Sequence, residues 1–170
     1  RIGISGCPVL ALRVTYVGEL GWELHLPVEY AVNVYEALMR AGAAYGISNA
    51  GYRAIESLRL EKGYRAWGSD IGPDHTPLEA GLGWAVKLRK NVPFKGREAI
   101  LAQKETGLRK MLACFTVDDP GTILLGRETI YRNGERVGWL TSGGYGYTIG
   151  KSIGYGYVRN KAGVTADYVM

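Results

Sequence analysis

The sequence predicts an α+β fold that ends in a small, truncated antiparallel β-barrel. Three observations predict it. A strand pair lies between glycines over residues 9–26, two helical stretches follow over 31–62, and the hydrophobic period changes from helical to alternating near residue 109. The expected division is an α+β half-module over 1–107 and a barrel over 109–170, joined through Glu105-Thr106-Gly107-Leu108.

Residues 9–17 are apolar and β-branched and close on Gly18, which predicts a strand. A second strand, Trp22 to Leu26, alternates up to Pro27, with Leu24 and Leu26 on one face and Glu23 and His25 on the other. Ala31, Val34, Tyr35, Leu38 and Met39 recur at helical steps up to Gly46. A second helix, 51–62, is stopped by Gly63. Tyr64 to Pro77 carries Trp67, Asp70, Asp74 and His75 among glycines and prolines and reads as an irregular loop. Leu82 to Leu88 predicts a strand, and Gly96 to Gln103 a short helix.

Beyond Arg109 the pattern is one of short strands. Met111 to Val117 is followed by two runs around Asn133-Gly134, a strong hairpin signal, and by glycine- and tyrosine-rich strands at 143–147 and 152–158. Arg1 in place of Met, and a strand-like stop at Val169-Met170, predict that both ends lie inside a longer chain.

Composition excludes several function classes. The formal charge of +5 is dispersed, without the dense Lys/Arg stripes of a nucleic-acid surface. No apolar run approaches the ~20 residues of a membrane span. Cys7 and Cys114 have no metal or disulfide spacing and predict free thiols in a reducing compartment, so the expected location is the cytoplasm, or the mitochondrial matrix in a eukaryote. Gly81-Leu82-Gly83 and Gly144-Tyr145-Gly146 lack the following helix of a phosphate loop. His25 and His75 show neither metal spacing nor a nucleophile to serve.

Four ordered blocks carry a resemblance. Tyr16-Val17-Gly18-Glu19-Leu20-Gly21-Trp22-Glu23 is followed by Ser57-Leu58-Arg59-Leu60-Glu61-Lys62-Gly63. Then come Thr76-Pro77-Leu78-Glu79-Ala80-Gly81-Leu82-Gly83-Trp84 and Phe94-Lys95-Gly96-Arg97-Glu98-Ala99. They resemble the glycine-cleavage T-protein (aminomethyltransferase) family. Arg53-Ala54-Ile55-Glu56-Ser57 and Lys62 to Gly68 look closer to its dimethylglycine and sarcosine dehydrogenase branch. The fold implied is the carboxy-terminal half of a T-protein-like folate-binding module plus its terminal barrel.

The resemblance implies a pocket for tetrahydrofolate, which takes a one-carbon unit from an amine-derived iminium as methylene-tetrahydrofolate. FAD would bind only in a missing amino-terminal domain of the parent. Glu23 matches the carboxylate that contacts the pterin, and Tyr16 a pocket tyrosine. The alternatives are an outward strand carboxylate and a core tyrosine. Tyr64, Trp67 and Trp84 are pocket-wall candidates or packing anchors. Glu79 either meets substrate or caps local backbone N–H groups. In an ungapped alignment Ile55 stands where the family has an arginine for the folate tail, which implies a different hold on that tail.

No catalytic or metal-binding residue is assigned. The family's catalytic aspartate belongs to the missing amino-terminal half, so the chain by itself is expected to be inactive. The expected partners are folate, the amine-derived donor, the missing half and, through exposed apolar surface, a second copy of the chain. The alternative function is that of a regulatory protein of the same fold, like the regulatory subunit of pyruvate dehydrogenase phosphatase.

Overall fold

The computed structural model describes residues 1–90 and 92–159, and the predicted barrel sequence over 160–170 lies outside them. The chain forms two compact units, Arg1–Lys62 and a second beginning at Gly63, and each is described by itself.

The first unit holds β1 (Ile2–Ile4), β2 (Cys7–Leu12), β3 (Glu23–His25), α1 (Ala31–Gly42) and α2 (Tyr52–Lys62). The strands form an antiparallel sheet in the order β1-β2-β3. Alternation along β2 buries Cys7 and Val9 against Val34 of α1, with Ile4, Leu24, Leu26 and Leu38 around them. Helix α1 runs into a single 3-10 turn, Ala43–Tyr45, that stops at Gly46 with φ +73°. Helix α2 is followed by Gly63 at φ +79°.

The second unit holds α3 (Arg97–Thr106), β4 (Lys110–Thr116), β5 (Thr129–Arg132), β6 (Glu135–Gly146) and β7 (Lys151–Arg159). The four strands form one antiparallel sheet in the order β4-β7-β6-β5, and among the described residues it is not closed into a barrel. Asn133 and Gly134, at φ +51° and +82°, make the tight turn between β5 and β6. Phe115, Leu124, Ile130, Leu140 and Val158 form the buried core. Strands β6 and β7 approach closely because glycines face the partner backbone. A Cβ on Gly138 would collide with the Tyr157 carbonyl oxygen, and one on Gly156 would lie 2.5 Å from the Trp139 oxygen.

Three local expectations are corrected. The strand expected over 9–17 ends at Leu12. Beyond it the backbone turns, with the Val14 N–H donating to the Leu12 carbonyl and the Val17 N–H to Thr15 Oγ1. Leu82 to Leu88 is not a strand but a run of turns around a 3-10 turn at Gly83–Ala85, where Ala85 and Val86 donate back to Leu82 and Gly83. A short apolar run does not distinguish a strand from a packed turn, and this one has no strand to pair with among the described residues. Strand β1 was not expected.

Candidate functional site

Glu23 opens β3. In the antiparallel ladder it stands opposite Leu12, and His25 stands opposite Leu10. Opposed residues share a face, so Glu23, His25, Leu10 and Leu12 occupy one side of the sheet. That side points away from the Cys7–Val9–Val34 core, and Leu10 and Leu12 remain 41% and 39% exposed. Within its unit, Glu23 is therefore a carboxylate at the margin of an uncovered apolar sheet face. His25 Nε2 donates to Glu23 Oε2 at 3.2 Å, an ion pair when the imidazole is protonated, and both side chains are about half exposed. The sequence alternation put these two residues on one face but did not pair them.

Tyr16 lies in the irregular segment between β2 and β3 and is also partly exposed, which makes it no core tyrosine. Gly18, two residues on, has φ +80°, and the aliphatic stem of Lys62 lies where its Cβ would be. Both residues of the signature run thus sit on the strand-pair unit. Arg59 on α2 is buried and paired with the partly buried Glu56, three residues before it on the same helix.

The other four candidates belong to the second unit. Trp67 is 74% exposed and rims a cavity of about 270 Å³ lined also by Ile71, His75, Pro77, Leu82 and Val86. Trp84, 76% exposed, and the half-buried Tyr64 do not line it. Glu79 forms a reciprocal cap: Glu79 Oε2 accepts from the Thr76 N–H at 3.1 Å, while Thr76 Oγ1 accepts from the Glu79 N–H at 3.2 Å. Its side chain is only 12% exposed and its Oε2 lies 3.9 Å from Lys110 Nζ, so in this geometry it serves the backbone. A wider cavity, about 720 Å³, lies on the β5–β6 hairpin beside Arg132, Arg136, Trp139 and Arg159, and none of the six candidate site residues lines it.

Asp70 was underestimated. It reads as a turn aspartate, and it does accept the Ala66 N–H at 3.0 Å, yet it is fully buried. The register between β6 and β7 slips between Leu140 and Ser142, and this bulge turns two successive hydroxyls toward one carboxylate. Thr141 Oγ1 and Ser142 Oγ lie 2.5 and 2.7 Å from Asp70 Oδ1. Next to this cluster, Tyr157 stacks on His75 with ring centroids 4.3 Å apart, and Lys110 Nζ sits 5.3 Å from its ring centre. Burial, then the Glu79 and Asp70 carboxylates, push the Tyr157 phenol up to about 12. Among the described residues no group of three or more His, Cys, Asp or Glu side chains is placed to hold a metal ion, and no helix is long and apolar enough to cross a membrane.

Comparison with known proteins identifies the family. Residues 1–90 match the GCVT N-terminal domain, and residues 110–169 match the glycine cleavage T-protein C-terminal barrel domain. The chain is 50% identical to mitochondrial sarcosine dehydrogenase of Mus musculus over 97% of its own length, and 46% identical to mitochondrial dimethylglycine dehydrogenase of Homo sapiens over 91%. It spans 18% of the length of each of those proteins. The crystal structure of the glycine cleavage system aminomethyltransferase T from Bartonella henselae superposes with a TM-score of 0.77 at 34% identity, covering 88% of this chain and 41% of that one. By sequence over both of its parts and by fold, the chain belongs to the glycine cleavage T-protein family.

Proposed function

We propose that this chain is the tetrahydrofolate-binding segment of a longer protein of the sarcosine or dimethylglycine dehydrogenase kind, which passes a one-carbon unit from an amine-derived iminium to folate. The observation that carries the reading is the position of Glu23 at the edge of an open apolar sheet face formed with Leu10 and Leu12. A pterin is a flat ring with N–H donors along one edge. An apolar floor takes the ring face, and an ionised carboxylate accepts two of those donors in a charge-assisted pair. The residues present therefore fit the group.

In this reading Glu23 orients the pterin edge and Tyr16 flanks the ring. Glu79 supports the loop before residue 80 through its cap on Thr76. Bound tetrahydrofolate supplies the nitrogen that receives the one-carbon unit. The chain itself contributes binding and orientation, and the proton-transfer aspartate and the flavin that oxidises the amine lie elsewhere in the longer protein. In this reading residues 1–107 are the folate half-module, and the segment after them corresponds to the family's C-terminal barrel domain. The mitochondrial names of the dehydrogenase relatives favour the mitochondrial matrix in a eukaryote.

Calorimetric titration of the full-length protein with tetrahydrofolate tests this. Saturable binding at one site per chain is expected. A folded protein that takes up no tetrahydrofolate would leave the alternative, an interaction protein built on the same fold.

A further inference from the structure

We propose that His25 is a positioning residue for Glu23, holding one carboxylate oxygen so that the other stands ready for the ligand edge. This rests on the reading of Glu23 as the pterin-binding carboxylate. The two residues are separated by one position on β3 and therefore project from the same side of the sheet, the side not covered by α1. His25 Nε2 is 3.2 Å from Glu23 Oε2.

A glutamate side chain has three rotatable bonds, and on an exposed strand each ligand encounter must select one arrangement among many. Its floor here is aliphatic: Leu12 directly opposite and Leu10 opposite His25 have no polar hydrogen to hold the carboxylate. The imidazole donates to one oxygen and leaves the other oxygen, and a second lone pair on the first, unclaimed by it. His25 thus restrains the acceptor before the ligand arrives without consuming its capacity. No proton is transferred and no bond is made or broken. The contribution is preorganisation.

Tetrahydrofolate affinity is measured by calorimetry on the full-length protein for wild type, His25→Ala, His25→Gln, Glu23→Gln and the double variant Glu23→Gln/His25→Ala. Removing the imidazole is expected to weaken binding by about 3- to 10-fold, the cost of ordering one free rotamer-rich side chain on binding. Glutamine, which retains a donor N–H, should recover most of that loss. In the Glu23→Gln background, loss of His25 should have no further effect, because the carboxylate it restrains is gone. An unchanged affinity in His25→Ala, a failure of His25→Gln to recover it, or an equal loss with and without Glu23 would each overturn the positioning role while leaving Glu23 as the binding residue. If Glu23→Gln itself binds tetrahydrofolate like wild type, the reading of Glu23 fails and the role of His25 fails with it. Equal melting temperatures for all five proteins exclude unfolding as the cause.

Discussion

The hydroxyl of Ser142 donates to the buried carboxylate of Asp70 across 2.7 Å, linking two residues 72 positions apart in the sequence. The same Oδ1 lies 2.5 Å from Thr141 Oγ1, while Oδ2 holds the Ala66 N–H. One carboxylate thus fastens the Trp67-bearing loop to the bulge in β6.

Asp70→Ala is expected to be strongly destabilising, by about 2–4 kcal/mol, because it strands hydrogen-bond donors in a place water does not reach. Asp70→Asn should recover only part of the loss, since its amide turns N–H groups toward donors. Thermal and urea denaturation check the order wild type, Asn, Ala. Equal stability of Asp70→Ala and wild type would show that the cluster does not hold the second unit together.

The glycines of the β6–β7 seam supply a second expectation. Gly138→Ala places a methyl group against the Tyr157 carbonyl and should cost about 3 kcal/mol or more, through backbone displacement where strand pairing leaves no room. Gly3→Ala in β1 is the control, with no atom within 4 Å of its added Cβ, and should lie within about 0.5 kcal/mol of wild type. The contrast is read from denaturant midpoints.

Tyr157 gives an alkaline signature. Its folded phenol ionises near 12 rather than its ordinary 10, chiefly because of burial and secondarily because of Glu79 and Asp70. The unfolded chain therefore loses this proton first as pH rises. The stability linked to it is complete below pH 10 and is lost on the way to 12. Tyr157→Phe should be less sensitive than wild type over that window in denaturation measured at about pH 9 and about pH 11.5. At neutral pH the substitution should change stability little, because the phenolic oxygen has no partner among the described residues.

For Glu23, the substitution Glu23→Gln presents an N–H where the pterin edge needs an acceptor. The expected loss is about 2–4 kcal/mol of tetrahydrofolate affinity, roughly 30- to 1,000-fold. Stability should be nearly unchanged, because the side chain is more than half exposed. A lowered melting temperature with an unaltered affinity would make Glu23 structural.

How far the sequence could be read depended on the range of the interactions. Helices α1 and α2 were legible because their apolar spacing is a local property, and Asn133-Gly134 was legible because a two-residue turn needs backbone angles these residues supply. Strand β1 escaped because it has three residues and is defined by its pairing with Cys7 to Val9. The alternation of Glu23 and His25 could be seen, but their apolar neighbours Leu10 and Leu12 follow from register, which the sequence does not print. Asp70 was the deepest miss. Its neighbours are glycine and proline, the ordinary setting of a turn, and the hydroxyls that give it a second role lie on a distant strand.

The order of strands in the second sheet also dictates how quickly it can assemble. Strands β6 and β7 are joined by four residues, 147–150, and β5 joins β6 through a two-residue turn, so this meander can zip from local encounters on a timescale of ~1–10 μs. Strand β4 must reach β7 across the whole meander to pair Thr116 with Ile153 and Lys110 with Arg159. Its docking carries the larger loop-closure entropy and comes last. Truncating Leu140 should therefore slow refolding, whereas truncating Leu112 should chiefly speed unfolding, a partition that stopped-flow chevrons resolve. A nascent chain would have to complete β7 before β4 found a partner, and until then β4 would present an unpaired strand edge to its surroundings.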